Sequence, residues 1–179
     1  SGGQSEDASS TSPSYLRRTD SDQSVGSSSG TRQAQQRRAR ARKRPPVVVH
    51  LHGKLSIKQA VNILSSSGWS VDPSGLFHFF SQHGERCLTL INLVEPGVFD
   101  FDDPERVIPG VSLILAINDV SDPAWAYRVM LREAAKLAEI NQALMTDGRR
   151  QPLTLESIEA MAEELAGLSA GKRRARASA

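Results

Sequence analysis

Residues 87–94 read Cys-Leu-Thr-Leu-Ile-Asn-Leu-Val, and residues 111–117 read Val-Ser-Leu-Ile-Leu-Ala-Ile. Both runs have strand length and strand composition. Side chains of a strand point alternately to its two faces. In the first run Leu88 and Leu90 share one face, while Cys87, Thr89, Ile91 and Leu93 share the other. In the second, Val111, Leu113, Leu115 and Ile117 lie together, opposite Ser112, Ile114 and Ala116. The larger apolar set of each run is read as the core face. A sheet covered on one side should alternate apolar inward and polar outward. Ile91, Leu93 and Ile114 break that rule, because they fall on the face away from the core. An uncovered apolar patch on a sheet marks a partner site. The other reading is a covered face, closed by a loop such as 98–108 or by a second copy of the chain. The pattern alone leaves both open.

Working outward, the same logic gives the remaining elements. Pro45-Pro46 precedes Val47-Val48-Val49-His50-Leu51, a β-branched strand that Gly53 should break. Ser56 is placed to cap a helix reaching about Ser66, with Ile57, Ala60, Val61 and Leu64 on one face. Gly68 should stop it. Short strands at 69–71 and 76–81 flank the turn Asp72-Pro73-Ser74-Gly75. After the strand at 87–94, an acidic loop runs to Pro109-Gly110. Asp122-Pro123 opens the longest helix, whose apolar stripe is Tyr127, Met130, Leu131, Ala134, Leu137 and Ala138. A strand at 142–146 and a Thr154-capped helix follow. Consecutive strands joined by tight turns predict an antiparallel sheet of about six strands, backed on one face by three helices: an α+β two-layer sandwich.

The ends of the chain differ in kind from its middle. Residues 1–44 are rich in Ser, Gly, Gln and Arg, with Tyr15, Leu16 and Val25 as the large apolar exceptions. Such a segment cannot bury enough apolar surface to offset its ordering entropy, so disorder is expected at 1–44. The basic stretch 171–179 is expected to be a disordered tail, leaving 45–170 as the folded domain. Charge divides the same way. Residues 45–170 hold 16 acidic and 9 basic side chains, a net of −7, whereas the two ends together carry +9. An acidic body is the reverse of what a nucleic-acid-binding fold shows. Attraction to anionic lipid or nucleic acid, if present, belongs to Arg37, Arg38, Arg40, Arg42, Lys43 and Arg44, which also read as a solvated linker end.

Chemistry is hard to find in this sequence. Cys87 is the single cysteine, so no intrachain disulfide is available, and no surrounding motif makes it a nucleophile. His50 and His52 share a strand face and are a candidate ligand pair, but nothing completes a tetrahedral set, and surface or strand-edge histidines are the plainer reading. Asp100-Phe-Asp-Asp103 lacks the spacing and closing Glu of a calcium loop. No phosphate-binding loop or nucleophile elbow occurs. No run approaches the ~18 apolar residues of a membrane helix. The reading is a non-enzymatic module without metal or cofactor.

The run Leu90-Ile-Asn-Leu-Val-Glu-Pro-Gly-Val-Phe-Asp100, followed by Pro109-Gly-Val-Ser-Leu-Ile114, resembles the family of ZipA C-terminal domains. There a strand ending in Asn-x-Val-x-Pro-Gly-x-Phe-Asp precedes Pro-Gly-Val and another strand. Arg128-Val-Met-Leu131, Asp147-Gly-Arg-Arg150 and the Thr154-capped helix follow in the family's order, so the resemblance spans about 45–168. It implies a cell-division module whose partner is the C-terminal tail of FtsZ, held in a shallow apolar cleft on the exposed sheet face, tethering and stabilising filaments at the septum. It implies no small-molecule substrate. It places the domain at the cytoplasmic face of the inner membrane, through an N-terminal helix that this chain does not contain. The cleft positions it carries over are Val48, Ser74, Thr89, Ile91, Leu93, Ser112, Ile114 and Ala116, with Arg149 at the margin. Ser74 stands for a larger apolar residue of the family, Ile114 for an aromatic one and Glu95 for a Lys, so the cleft should be shallower and less basic.

Overall fold

The computed structural model describes residues 43–179. The disorder expected at 1–44, and the basic residues Arg37, Arg38, Arg40 and Arg42, fall outside the described residues except for Lys43 and Arg44. The elements run β1 (Val47–Ser56), α1 (Ile57–Ser66), β2 (Ser70–Val71), β3 (Phe77–Phe80), β4 (Arg86–Asn92), β5 (Val107–Leu115), α2 (Pro123–Asn141), β6 (Leu144–Asp147) and α3 (Leu155–Ala177). The strands form one sheet in the order β2-β3-β4-β5-β1-β6. Every neighbouring pair is antiparallel. With three helices this is an α+β sandwich.

Register explains the core. Phe77, Leu90, Leu113 and Val49 stand opposite one another across β3, β4, β5 and β1, and all four are buried. Leu88, Leu51, Val111 and Leu115 extend the same face. Onto it pack Ile57, Ala60 and Leu64 of α1, Ala126, Tyr127, Met130, Ala134 and Leu137 of α2, and Leu165 of α3. Full burial of an aliphatic or aromatic side chain is worth about 1.5–3 kcal/mol, so this row outweighs any surface contact. The caps are those the sequence predicts. Ser56 and Gln59 close a capping box on α1. Asp122 accepts the Trp125 N–H at 3.1 Å to open α2. Gly68 takes a left-handed φ of 84° after α1, where a side chain would be strained.

Three expectations are corrected. Gly53 does not break the first strand; β1 shifts register between His52 and Leu55 and continues to Ser56. A Cβ at Gly53 would lie 2.9 Å from the Ala143 Cβ, and Asn141 donates to the Gly53 carbonyl at 3.1 Å, so glycine here admits the α2–β6 corner. The strand predicted to begin at Val111 begins at Val107, because Leu55 and Ser56 beyond the shift pair with Ile108 and Val107. Finally, 171–179 is not a disordered tail: α3 continues to Ala177. Lys172 donates to the carbonyls of Ile117, Asn118 and Val120, which ties the last turns to the β5–α2 loop.

Candidate functional site

The face of the sheet away from the helices carries a second set of cross-strand rows. His78, Thr89, Ile114 and Val48 form one, on β3, β4, β5 and β1. Ile91, Ser112, His50 and Thr146 form the next, on β4, β5, β1 and β6. Leu93, just past β4, donates its N–H to the Gly110 carbonyl at 3.1 Å and lies alongside Gly110. Val48, Thr89, Ile91, Leu93 and Ile114 are all half-buried. The loop that could have covered this face goes elsewhere. Phe99 and Phe101 pack on Phe77, on the core side, at ring separations of 5.1 and 5.9 Å. Pro104 and Arg106 accept the Lys58 and Ile57 N–H groups at the start of α1.

The structure therefore brings six of the expected cleft residues onto one face of the sheet, Val48, Thr89, Ile91, Leu93, Ser112 and Ile114, with Ser112 beneath the others. Ala116 is exposed and continues the line of Ser112 and Ile114 beyond the end of β5. Ser74 sits off the sheet in the β2–β3 turn. Its hydroxyl and N–H both bond Asp72 Oδ1, at 2.6 and 2.9 Å. Asp72 Oδ2 meets His78 Nε2 at 2.6 Å, and His78 Nδ1 meets Thr89 Oγ1 at 3.0 Å. The Ser74 hydroxyl first, and then His78, hold the Asp72 carboxyl well below the ordinary range. Arg149 is exposed in the turn after β6, beside Gly148, which abuts Val48.

Ser112 differs from the expectation. Only 3% of it is exposed, because His50 lies over it with Nδ1 2.7 Å from its hydroxyl. A partner would meet His50 at that position. His52 makes the matching contact to Thr146 Oγ1 at 2.9 Å. The floor is thus divided. Ile91, Leu93 and Ile114 give an apolar half, and His50 and His52 give a polar strip toward β6. Burial, then Arg150, then His52 push the His50 ring below its usual pKa, against the pull of Asp147. The turn beyond β6 closes with the Arg150 N–H on the Asp147 carbonyl at 2.9 Å, with Arg150 at a φ of 61°. His50, His78, Asp72 and Arg150 were not on the expected list. The alternation of Val49 and Leu51 with His50 and His52 does place the histidines outward, but nothing in the sequence reveals the hydroxyl that orients each ring.

Among the described residues no three His, Cys, Asp or Glu side chains gather to hold a metal ion. No helix of the described residues is long and apolar enough to cross a membrane.

Relatives carry the same domain. The family described as "ZipA, C-terminal FtsZ-binding domain" matches residues 46–164, more than half of the chain. The chain is 34% identical over 102 residues to the cell division protein ZipA of Pseudomonas fluorescens, covering 55% of this chain and 36% of the relative. It is 35% identical over 102 residues to that of Pseudomonas entomophila, covering 55% and 34%. With ZipA of Shewanella frigidimarina it shares 37% over 70 residues, covering 38% and 20%. The chain thus spans about a third or less of the length of these curated relatives. The match over residues 46–164, which takes in the whole sheet, α1, α2 and the first turns of α3, shows that this chain belongs to the family of ZipA C-terminal FtsZ-binding domains.

Proposed function

We propose that the domain binds the C-terminal tail of FtsZ along the open sheet face, and that in the full-length protein this contact holds FtsZ filaments at the division septum, on the cytoplasmic side of the inner membrane. The observation that carries the reading is the uncovered apolar half-floor of Val48, Ile91, Leu93 and Ile114, on strands whose opposite side is the core. A short apolar segment lying there loses water on both surfaces, and family membership supplies the partner. The reading needs no catalysis: the site offers contact and hydrogen bonding.

Substitution on the two faces of the same strands tests it. Ile114→Glu and Leu93→Glu put a charge on a half-exposed surface, where the stability cost is typically within about 0.5 kcal/mol. In a filled cleft the same charge is buried unpaired, and binding should fall at least about tenfold, or ~1.4 kcal/mol. Leu113→Glu, on the fully buried side, should unfold the domain. Melting curves and titration with the FtsZ tail peptide check both. Wild-type affinity in folded Ile114→Glu and Leu93→Glu proteins would sink the proposal.

One observation favours a second reading, in which the basic run 37–44 binds anionic lipid or nucleic acid. Asn118 accepts the Arg44 N–H at 3.3 Å and donates to its carbonyl at 2.7 Å, while the Asn118 carbonyl accepts from Lys172. The end of the basic run and the basic end of α3 therefore meet at one loop. Binding of that kind would weaken steeply with salt, whereas apolar gripping of a tail would not.

A further inference from the structure

The polar half of the open face has a charge opposite to that of the domain around it. Residues 45–170 carry a net of −7, yet His50 and His52 stand on the open face beside β6, whose following turn carries Arg149 and Arg150, with Arg150 close enough to act on the His50 ring. His50 and His52 have ring centroids 6.1 Å apart. Neither Arg149 nor Arg150 has an ion-pair partner among the described residues. The nearby acid is Asp147, whose Oδ1 is already engaged by the N–H groups of Arg149 and Gln151, at 2.8 and 2.9 Å. With His50 Nδ1 held by Ser112, no group among the described residues bonds Nε2.

We propose that His50 and Arg150 form a carboxylate-reading subsite, which takes an acidic side chain of the bound segment and so fixes the direction in which that segment lies across the sheet. This rests on the open face being the tail-binding surface. The apolar half, Ile91, Leu93 and Ile114, grips without polarity. A charged anchor at one margin makes the two directions unequal, because the reversed segment would bring its acid to the apolar half and leave it unpaired. A carboxylate of Asp or Glu suits the subsite because it accepts hydrogen bonds at two oxygens and can take a guanidinium and an imidazole together.

The subsite also couples binding to protons. The charged groups around His50 are His52 on its own strand, and Asp147 and Arg150 from β6 and its turn; β5 faces it with the Ser112 hydroxyl. Burial first, then Arg150 and His52, lower the pKa of the free ring. A bound carboxylate supplies the opposite charge and raises the ring's pKa, so binding takes up a proton and tightens as pH falls.

The test is calorimetric titration of the full chain with the FtsZ tail peptide, and with the same peptide whose Asp and Glu are changed to Asn and Gln and whose terminus is amidated. Wild type, His50→Gln and Arg150→Gln are compared at about pH 5.5 and about pH 8, on either side of the usual His range. Wild type should bind the acidic peptide about tenfold more tightly at the lower pH, the effect of a one-unit pKa shift. His50→Gln should still bind but lose that difference. Arg150→Gln, at an exposed position where a surface change typically costs little stability, should weaken the acidic peptide by about fivefold or more and spare the neutral one. A flat pH response in wild type, or an unchanged one in His50→Gln, overturns the subsite while leaving the tail-binding surface standing. No binding of either peptide at either pH overturns the surface and the subsite together.

Discussion

Asp72 fixes the geometry of one margin of the open face with a single carboxylate. It accepts from Ser74 twice, from the Leu76 N–H at 3.1 Å and pairs with His78, which in turn orients Thr89. Those partners hold its pKa below the ordinary value, the Ser74 hydroxyl contributing most. A depressed carboxyl stabilises the fold above its unfolded pKa of about 4, and that stabilisation is lost as pH falls through the lower folded value. Asp72→Asn should therefore lower the melting temperature at neutral pH and flatten the acid limb below about pH 4. Melting curves of both proteins across that range check it; identical acid limbs would mean the turn does not depend on this charge. Residue types and faces at this scale were legible. The outward positions of Ile91, Leu93 and Ile114 follow from period two alone. The partners were not legible, because a hydrogen bond such as His50 to Ser112 joins residues 62 apart in sequence and depends on register.

Elements were legible where a local rule governs them, and misread where a distant contact overrules it. Ser56, Asp122 and Thr154 cap their helices through neighbours three residues on, and all three caps form. Gly53 and Pro109-Gly110 carry local signals for a break, yet both lie within strands because β1 and β5 pair across a shifted register. The last turns of α3 are the clearest case. Composition alone makes Gly171-Lys-Arg-Arg174 a tail. Ser169 overrules it from one side, accepting the Ala124 N–H at 3.0 Å and donating to Asp122 at 2.7 Å. Lys172 overrules it from the other with its three carbonyls. Desolvation by burial pushes the Lys172 pKa down, but the ammonium keeps its acceptors. Lys172→Met keeps the length of the side chain and strands those carbonyls. It should cost about 1–3 kcal/mol, the range for losing hydrogen bonds from a charged donor, here to two part-buried carbonyls and one exposed one. Amide exchange in 170–177 should rise by about fivefold or more, the equilibrium equivalent of that cost. Wild-type protection of those amides in Lys172→Met would show that the helix end stands without its anchor.

Across the whole molecule, the two sides of one sheet serve different ends. The inward rows of β1, β4 and β5 build the core, and the outward rows of the same strands build the candidate cleft. The fold class was legible because hydrophobic alternation and turn chemistry agree along most of 45–170. The openness of the far face was not, since it depends on where loop 98–108 packs, and only Phe77 in three dimensions decides that.

The position of β1 has a mechanical consequence. It is an interior strand, flanked by β5 and β6, and it is the first strand after Pro45-Pro46, with Arg44 clamped at both its N–H and its carbonyl by Asn118. Antiparallel ladder bonds run perpendicular to the strands. A pull arriving from the Pro45 end along β1 therefore loads both ladders sideways and at once, as shear. A pull from Ala179 would instead peel α3 away turn by turn. With a fixed handle on Ile91→Cys, force applied near Pro45 should rupture the domain at a distinctly higher load than force applied at Ala179. Equal loads would mean that the entry strand confers no resistance. A module hung by its most firmly stitched strand can transmit tension to whatever sits on its outer face without first coming undone.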